Sequence, residues 1–218
     1  MASKQIQAAL FDLDGVVFNT EDQYSIFWGS QCRIYHPDKP GLEYKIKGQT
    51  LVQIFDKYFP DKDVQKEITE RLDNFERNME FEYIPGFIDF VSDLRKNNVK
   101  TAVVTSSNKE KMNAVYASRP EFKSYFDVIL TSEDFDKSKP DPDCYLKGAQ
   151  KFNLTNNECV VFEDSFNGLK SGRAAEMLVV GLATTNSKEA ILPYSDYVVS
   201  DFEALDYEKL CKILSKVI

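Results

Sequence analysis

Residues 6–15 read Ile6-Gln7-Ala8-Ala9-Leu10-Phe11-Asp12-Leu13-Asp14-Gly15. The first six are short, nearly all apolar and end abruptly on an acid, which predicts a buried β-strand running out into a loop. Two carboxylates at i and i+2, just past a buried strand, cost solvation unless a cation or hydrogen bonds hold them there. Gly15 permits a tight turn and leaves room at the strand mouth. Taken alone, Asp and Gly in this order also make an ordinary turn, so the rest of the chain has to decide.

Further apolar runs lie at 99–104, 128–130, 159–162, 178–182 and 197–199. Most are Val-rich and near-continuous, as in strands of a parallel sheet covered on both faces. Helical spacing falls between them. Phe87, Phe90, Val91 and Leu94 share one face after Pro85-Gly86; Met112 and Val115 lie between Asn108 and Pro120. Tyr145, Ala149 and Phe152 follow Pro142, and Leu169, Gly172 and Arg173 follow Ser165. The alternation predicts an α/β fold with a doubly wound parallel sheet.

One segment breaks the rhythm. From about 21 to 82 there is no strong strand candidate. Tyr24, Phe27 and Trp28 sit at helical spacing, then Leu51, Ile54, Phe55 and Tyr58, then Val64, Ile68, Leu72 and Phe75. The expected organisation is a catalytic core of residues 1–19 and 85–218 with a helical cap, 20–84, inserted after the first strand. Such an insert lies above the carboxyl ends of the strands, where open α/β sheets bind ligands.

Four loops carry polar chemistry at or just beyond predicted strand ends: Asp12-Leu13-Asp14-Gly15, Thr105-Ser106-Ser107-Asn108, Ser138-Lys139-Pro140-Asp141-Pro142 and Glu163-Asp164-Ser165. Singly, the second also reads as a helix N-cap, the third as an exposed lysine on a proline-stiffened loop, and the fourth as a strand end with an Asp-Ser cap. Together they suit phosphoryl transfer, which needs a nucleophile, charge compensation for the phosphate oxygens and a proton donor for the leaving oxygen. On this reading Asp12 is the nucleophile, Asp14 the proton donor, Thr105 and Lys139 contact phosphate, and Asp164 faces a metal.

The order and chemistry of the four loops, with the helical insert after the first, resemble the haloacid dehalogenase superfamily in its phosphatase branch, over the whole chain. Phe11-Asp12-Leu13-Asp14-Gly15-Val16, Ser138-Lys139-Pro140 and Glu163-Asp164-Ser165 are similar to the beta-phosphoglucomutase-like group. The resemblance implies a Rossmann-like core with a cap and a Mg2+ cofactor. It also implies roles: Asp12 as nucleophile and magnesium ligand, Asp14 as general acid/base with its carbonyl on the metal, and Thr105 and the Ser106 amide as phosphate clamp. Lys139 neutralises nucleophile and phosphate, Asp164 is a magnesium ligand, and Glu163 lies nearby, coordinating through water. True beta-phosphoglucomutases carry a histidine in the first cap helix, where Tyr24 stands here, and a cap arginine for a distal phosphate, aligned with Leu51. Arg77, Lys45 or Lys47 are the alternative partners of a distal anion; otherwise each is a solvated charge. These departures favour hydrolysis of a small phosphorylated metabolite, a sugar phosphate by resemblance, over the mutase alternative. A silent binding module is the reading from another class; the four intact motifs argue against it.

Composition narrows the classes further. Apolar residues make up 43% of the 218, and 35 acidic against 27 basic residues give a net charge of −8. A nucleic-acid footprint would be basic, so no nucleic-acid partner is expected. No apolar run reaches the ~18 residues of a membrane span, and the first residues lack the apolar stretch of a secretion signal. The expectation is a cytoplasmic monomer. Cys32, Cys144, Cys159 and Cys211 match no zinc spacing, and the single histidine, His36, leaves nothing for a histidine-based site.

Overall fold

In the computed structural model, residues 6–47 and 49–215 are described. Six strands, β1 (Ala8–Phe11), β2 (Lys100–Val104), β3 (Val128–Leu130), β4 (Cys159–Glu163), β5 (Leu178–Leu182) and β6 (Tyr197–Val199), form one sheet. Every pairing is parallel and the order is β3-β2-β1-β4-β5-β6. The first three strands step outward in one direction from β1 and the last three in the other. The reversal between β1 and β4 is the topological switch point of a doubly wound Rossmann-like fold, where the loops diverge and leave a crevice. The strands match the continuous apolar runs because both faces are covered: β1 and β4 are buried at every position.

Helices α1 (Glu21–Tyr35), α2 (Glu43–Ile46), α3 (Leu51–Tyr58) and α4 (Lys62–Arg77) fall between β1 and the return helix α5 (Phe87–Lys96). The core continues with α6 (Lys109–Ser118), α7 (Asp143–Lys151), α8 (Phe166–Ala174), α9 (Lys188–Ile191) and α10 (Tyr207–Leu214). On one face of the sheet Phe11 stacks on Phe162 at 4.7 Å and meets Phe87 edge-on at 5.5 Å. Leu10, Val104, Tyr145 and Val161 fill the other face.

The helical insert has an apolar cluster of its own, built on Phe27, Trp28, Phe59, Ile68 and Leu72. Burying a side chain such as Ile68, at 0% exposure, contributes about 1.5–3 kcal/mol before entropy. Local signals set the helix starts. Thr50 and Gln53 satisfy each other's backbone N–H at the head of α3, and Asp61 accepts from the amides of Asp63 and Val64 at the head of α4. The two linkers run side by side, the Asn19 amide donating to the Glu82 carbonyl at 2.8 Å and the Ile84 amide to the Val17 carbonyl at 3.0 Å. Gln53 Nε2 donates across to the Lys139 carbonyl at 3.2 Å, tying α3 to a core loop. His36 ends α1 with its Nε2 2.5 Å from the Tyr58 carbonyl oxygen and its ring against Phe59, a packing role. No helix among the described residues is long and apolar enough to cross a membrane.

Candidate active site

Strand register brings the first and fourth loops level. Phe11 lies opposite Val103 on one side and Phe162 on the other. The next residues out, Asp12 and Glu163, therefore meet at the carboxyl edge of the sheet, and Asp164 follows Glu163 out of β4. One carboxylate oxygen from each of Asp12, Glu163 and Asp164 lies within 4.8 Å of the others.

Lys139 is the counter-ion. It is 3% exposed, and its Nζ donates to Asp12 Oδ1 at 2.7 Å, to Glu163 Oε1 at 2.7 Å and to the Val104 carbonyl at 3.1 Å. All three ammonium protons are placed, so the residue that reads as an exposed lysine from sequence alone is locked in the site. Burial pulls the ammonium down, yet Asp12 and Glu163 together push it above its ordinary value. Burial pushes the Asp12 carboxyl up to about 7; Lys139 opposes this, and Glu163 and Asp14 add to it.

Glu163 has little left for another ligand. Besides Lys139 it accepts from the Tyr145 hydroxyl at 2.9 Å and, on Oε2, from the Asp164 and Ser165 amides and the Ser165 hydroxyl. A Cβ at position 168 would lie 1.6 Å from Glu163 Oε1, so glycine there is what admits the carboxylate beside α8. Asp164 is the contrast. It is 1% exposed; Thr185 donates to its Oδ2, while Oδ1 is buried with no hydrogen-bond partner. Burial, then Glu21, Glu163 and Asp12, push its carboxyl well up. Gly15, at φ +74°, lies so close that a Cβ would sit 2.1 Å from Asp164 Oδ2. An orphaned buried carboxylate oxygen beside two further carboxylates, only partly compensated by one ammonium, fits a hard divalent cation with oxygen ligands.

The second loop does not use its hydroxyls as the helix cap. Asn108 caps α6 by accepting from the Lys111 amide at 2.9 Å. Thr105, buried at the end of β2, accepts from the Ser107 amide at 3.0 Å, and Ser106 lines the cavity above Asp12. Ser165 does cap α8, accepting from the Gly168 amide at 3.1 Å, so the cap and the acidic pair occupy one turn. Asp14 lies above Asp12 and is held on three sides: Thr20 Oγ1 donates to Oδ1 at 2.5 Å, and Ser107 Oγ at 3.2 Å and the Lys111 ammonium donate to Oδ2.

Asp12, Asp14, Thr105, Ser106, Lys139 and Asp164 line the floor of a cavity of about 570 Å³ roofed by the helical insert. Tyr24, Trp28, Leu51, Phe55 and Leu72 supply its apolar walls, with Glu21, Glu43 and Glu76 among them. Tyr24 and Leu51 thus both face the cavity. Arg77 and Lys45 lie on exposed helix faces and are not in the wall, whereas Lys47 is, paired with Glu21 at 3.4 Å. Sequence reasoning passed over Lys111, Glu76, Thr20, Tyr145 and Thr185. None carries a local signal: Lys111 sits in Lys109-Glu110-Lys111, which reads as a solvated helix start, and only the fold buries it.

Comparison with known proteins gives the family and the fold. The profile of haloacid dehalogenase-like hydrolases matches residues 9–182, a span from β1 to the end of β5. The chain belongs to the haloacid dehalogenase-like hydrolases. Among relatives of this hydrolase, a probable pseudouridine-5'-phosphatase of Saccharomyces cerevisiae is 28% identical over 94% of this chain and 96% of its own. Hexitol phosphatase A of Escherichia coli is 32% identical over 79% of this chain and 81% of its own. The fold is shared with a beta-phosphoglucomutase of Clostridium difficile, at TM-score 0.78 and 21% identity, covering 97% of this chain and 98% of that one. The hydrolase core and its insert are therefore both parts of a shared architecture.

Proposed function

We propose that this hydrolase is a magnesium-dependent phosphatase that cleaves a small phosphate monoester, a sugar or sugar-alcohol phosphate, through an aspartyl-phosphate on Asp12. The observation that carries the reading is the Lys139 ammonium clamped between Asp12 and Glu163, in one cluster of carboxylates with Asp164 and its unpartnered oxygen, at a cavity roofed by the insert. Residues 20–84 act as the cap over the core formed by 1–19 and 85–218.

Asp12 attacks phosphorus as the bond to the leaving oxygen breaks, and Asp14 gives that oxygen its proton, releasing a neutral alcohol. Water then attacks the aspartyl-phosphate, Asp14 takes the proton from it, and inorganic phosphate leaves with Asp12 restored. Thr105 and the Ser106 amide hold the phosphate, and Lys139 offsets charge on nucleophile and phosphate. Asp12, Asp164 and the Asp14 carbonyl are the magnesium ligands; bound there, the ion supplies further charge neutralisation at the phosphate oxygens. Glu163 serves as the anchor of Lys139.

Magnesium dependence has a clear expected outcome. Activity on p-nitrophenyl phosphate is lost in excess EDTA and returns with Mg2+, and Asp164→Ala weakens the response to magnesium while leaving the melting temperature of the chelated protein near or above wild type. The sign follows from the raised carboxyl of Asp164: its ionised form is disfavoured in the metal-free fold, so removing it relieves strain rather than adding it. Full activity in excess EDTA would refute the metal assignment.

Hydrolysis is favoured over mutase action by the cavity's charges. Among the described residues its lysines are all paired: Lys139 with Asp12 and Glu163, Lys111 with Asp14, and Lys47 with Glu21. A second phosphate would meet Glu21, Glu43 and Glu76 rather than a spare cation, whereas hydroxyls suit those carboxylates as hydrogen-bond donors. The relatives named for pseudouridine-5'-phosphate and hexitol phosphates point to hydroxyl-rich leaving groups of the same kind. With beta-glucose 1-phosphate, Mg2+ and a trace of the 1,6-bisphosphate, the expected product is inorganic phosphate with little glucose 6-phosphate. Glucose 6-phosphate forming many times faster than phosphate would establish the mutase instead. A screen of phosphorylated metabolites with Mg2+ then identifies the substrate.

A further inference from the structure

Lys111 stands apart from the other charges of α6. Lys109 and Glu110 are exposed, but Lys111 is 3% exposed. A buried ammonium loses solvation that an apolar residue at the same position would not need to replace, so packing of α6 does not account for a lysine. Its contacts do. The ammonium pairs with Asp14 Oδ2 and lies 4.5 Å from the centre of the Tyr24 ring, a cation over an aromatic face. Among the described residues Asp14 is the only side chain to which it donates a hydrogen bond. Tyr24 belongs to α1, and its hydroxyl donates to Glu76 Oε1 of α4 at 2.7 Å, with Glu76 itself 7% exposed.

From these contacts we propose that Lys111 is a positioning residue that sets the Asp14 carboxylate for proton transfer and links its setting to the seating of the helical insert. The inference rests on the reading of Asp14 as proton donor. A carboxylate that gives a proton to a leaving oxygen must point one oxygen at it while the other is restrained. Thr20 holds Oδ1, and Ser107 and Lys111 hold Oδ2. Thr20 is the N-cap residue of α1, where the chain enters the insert, and Ser107 lies in the second loop, whereas Lys111 reaches from α6 of the core into the body of the insert, through Tyr24 of α1 and Glu76 of α4. With the insert seated, the aromatic face and the Glu76 carboxylate keep the ammonium beside Asp14. With it lifted, Lys111 loses that side of its environment and the carboxylate loses a restraint. Proton transfer is thereby tied to the state in which the insert roofs the cavity, where a misdirected proton does least harm.

The test compares two esters that differ in their need for the proton. Phenyl phosphate has the poorer leaving group, and p-nitrophenyl phosphate leaves readily without assistance. With Mg2+ and the full chain, Lys111→Met is expected to lower kcat on phenyl phosphate at least about tenfold more than on p-nitrophenyl phosphate, with both KM values within about twofold of wild type; general-acid contributions of about 10²–10⁴-fold leave room for this. Asp14→Ala is expected to show the same selectivity, more strongly. Should Lys111→Met fold poorly, the double variant Lys111→Met/Glu76→Gln, which removes one buried charge of each sign, carries the same comparison and is expected to show the same selectivity. Equal losses on the two esters, a change in KM alone, or wild-type kinetics would overturn the role of Lys111 while leaving the phosphatase reading intact. Wild-type protein that cleaves neither ester would overturn both.

Discussion

Asp12→Asn is expected to abolish turnover, lowering kcat on any phosphate monoester by at least about a thousandfold, while the protein stays folded. The carboxamide matches the carboxylate in shape but is a poor nucleophile, so no aspartyl-phosphate accumulates and no burst of product precedes the steady state. The fold tolerates the change for a reason visible in the site. Burial pushes the Asp12 carboxyl up to about 7 despite Lys139. In the metal-free protein its ionised form therefore costs stability that grows as pH rises from about 4 through 7, since the folded state binds the extra proton over that window. Asparagine removes that cost, and Lys139 keeps Glu163 and the Val104 carbonyl as acceptors. Melting in EDTA at pH 8 should accordingly match or exceed wild type. Turnover above a few per cent of wild type would rule Asp12 out as nucleophile.

Lys139→Met should do the opposite to the fold. Methionine fills a similar volume but leaves Asp12 and Glu163 facing each other without the ammonium that joins them, and both are buried or nearly so. Removing one partner of a buried charge cluster costs about 3–5 kcal/mol. The loss should be read near pH 8, where Asp12 is the more fully ionised, and shrink as pH falls and Asp12 takes up its proton, which its raised carboxyl permits near neutrality. Activity should fall to background at every pH because the phosphate would face two uncompensated carboxylates. The check is a pair of denaturant titrations at pH 5.5 and 8 with kinetics alongside; a stability loss independent of pH would mean that Lys139 acts through packing. Asp12→Asn and Lys139→Met together separate the two roles, one chemical and one electrostatic.

What the sequence by itself determined is the sheet of the core and the polar loops at its carboxyl edge. Runs such as 159–162 and 178–182 fall in β4 and β5 because strands buried on both faces have to be continuously apolar, a local property any reader of the chain can see. Asp12, Asp14, Thr105 and Asp164 stand out in the sequence for a related reason, each lying at or just past such a run, and Lys139 stands out by its place between Ser138 and Pro140 in a short motif whose residue types suit the same reaction. Only the tertiary structure decided which charges are buried and with whom. Glu163 reads beside Asp164 as a second acid for the metal, yet four donors besides Lys139 converge on it and make it an anchor. Arg77 reads as a candidate for a distal anion, yet it lies on the exposed face of α4, next to the buried Glu76. Lys111 reads as one more solvated lysine, yet it is buried between Asp14 and Tyr24, both far from it in the chain. A charged side chain looks the same in sequence whether water or a carboxylate solvates it; the choice depends on long-range contacts between insert and core, and those exist only once both have folded and met.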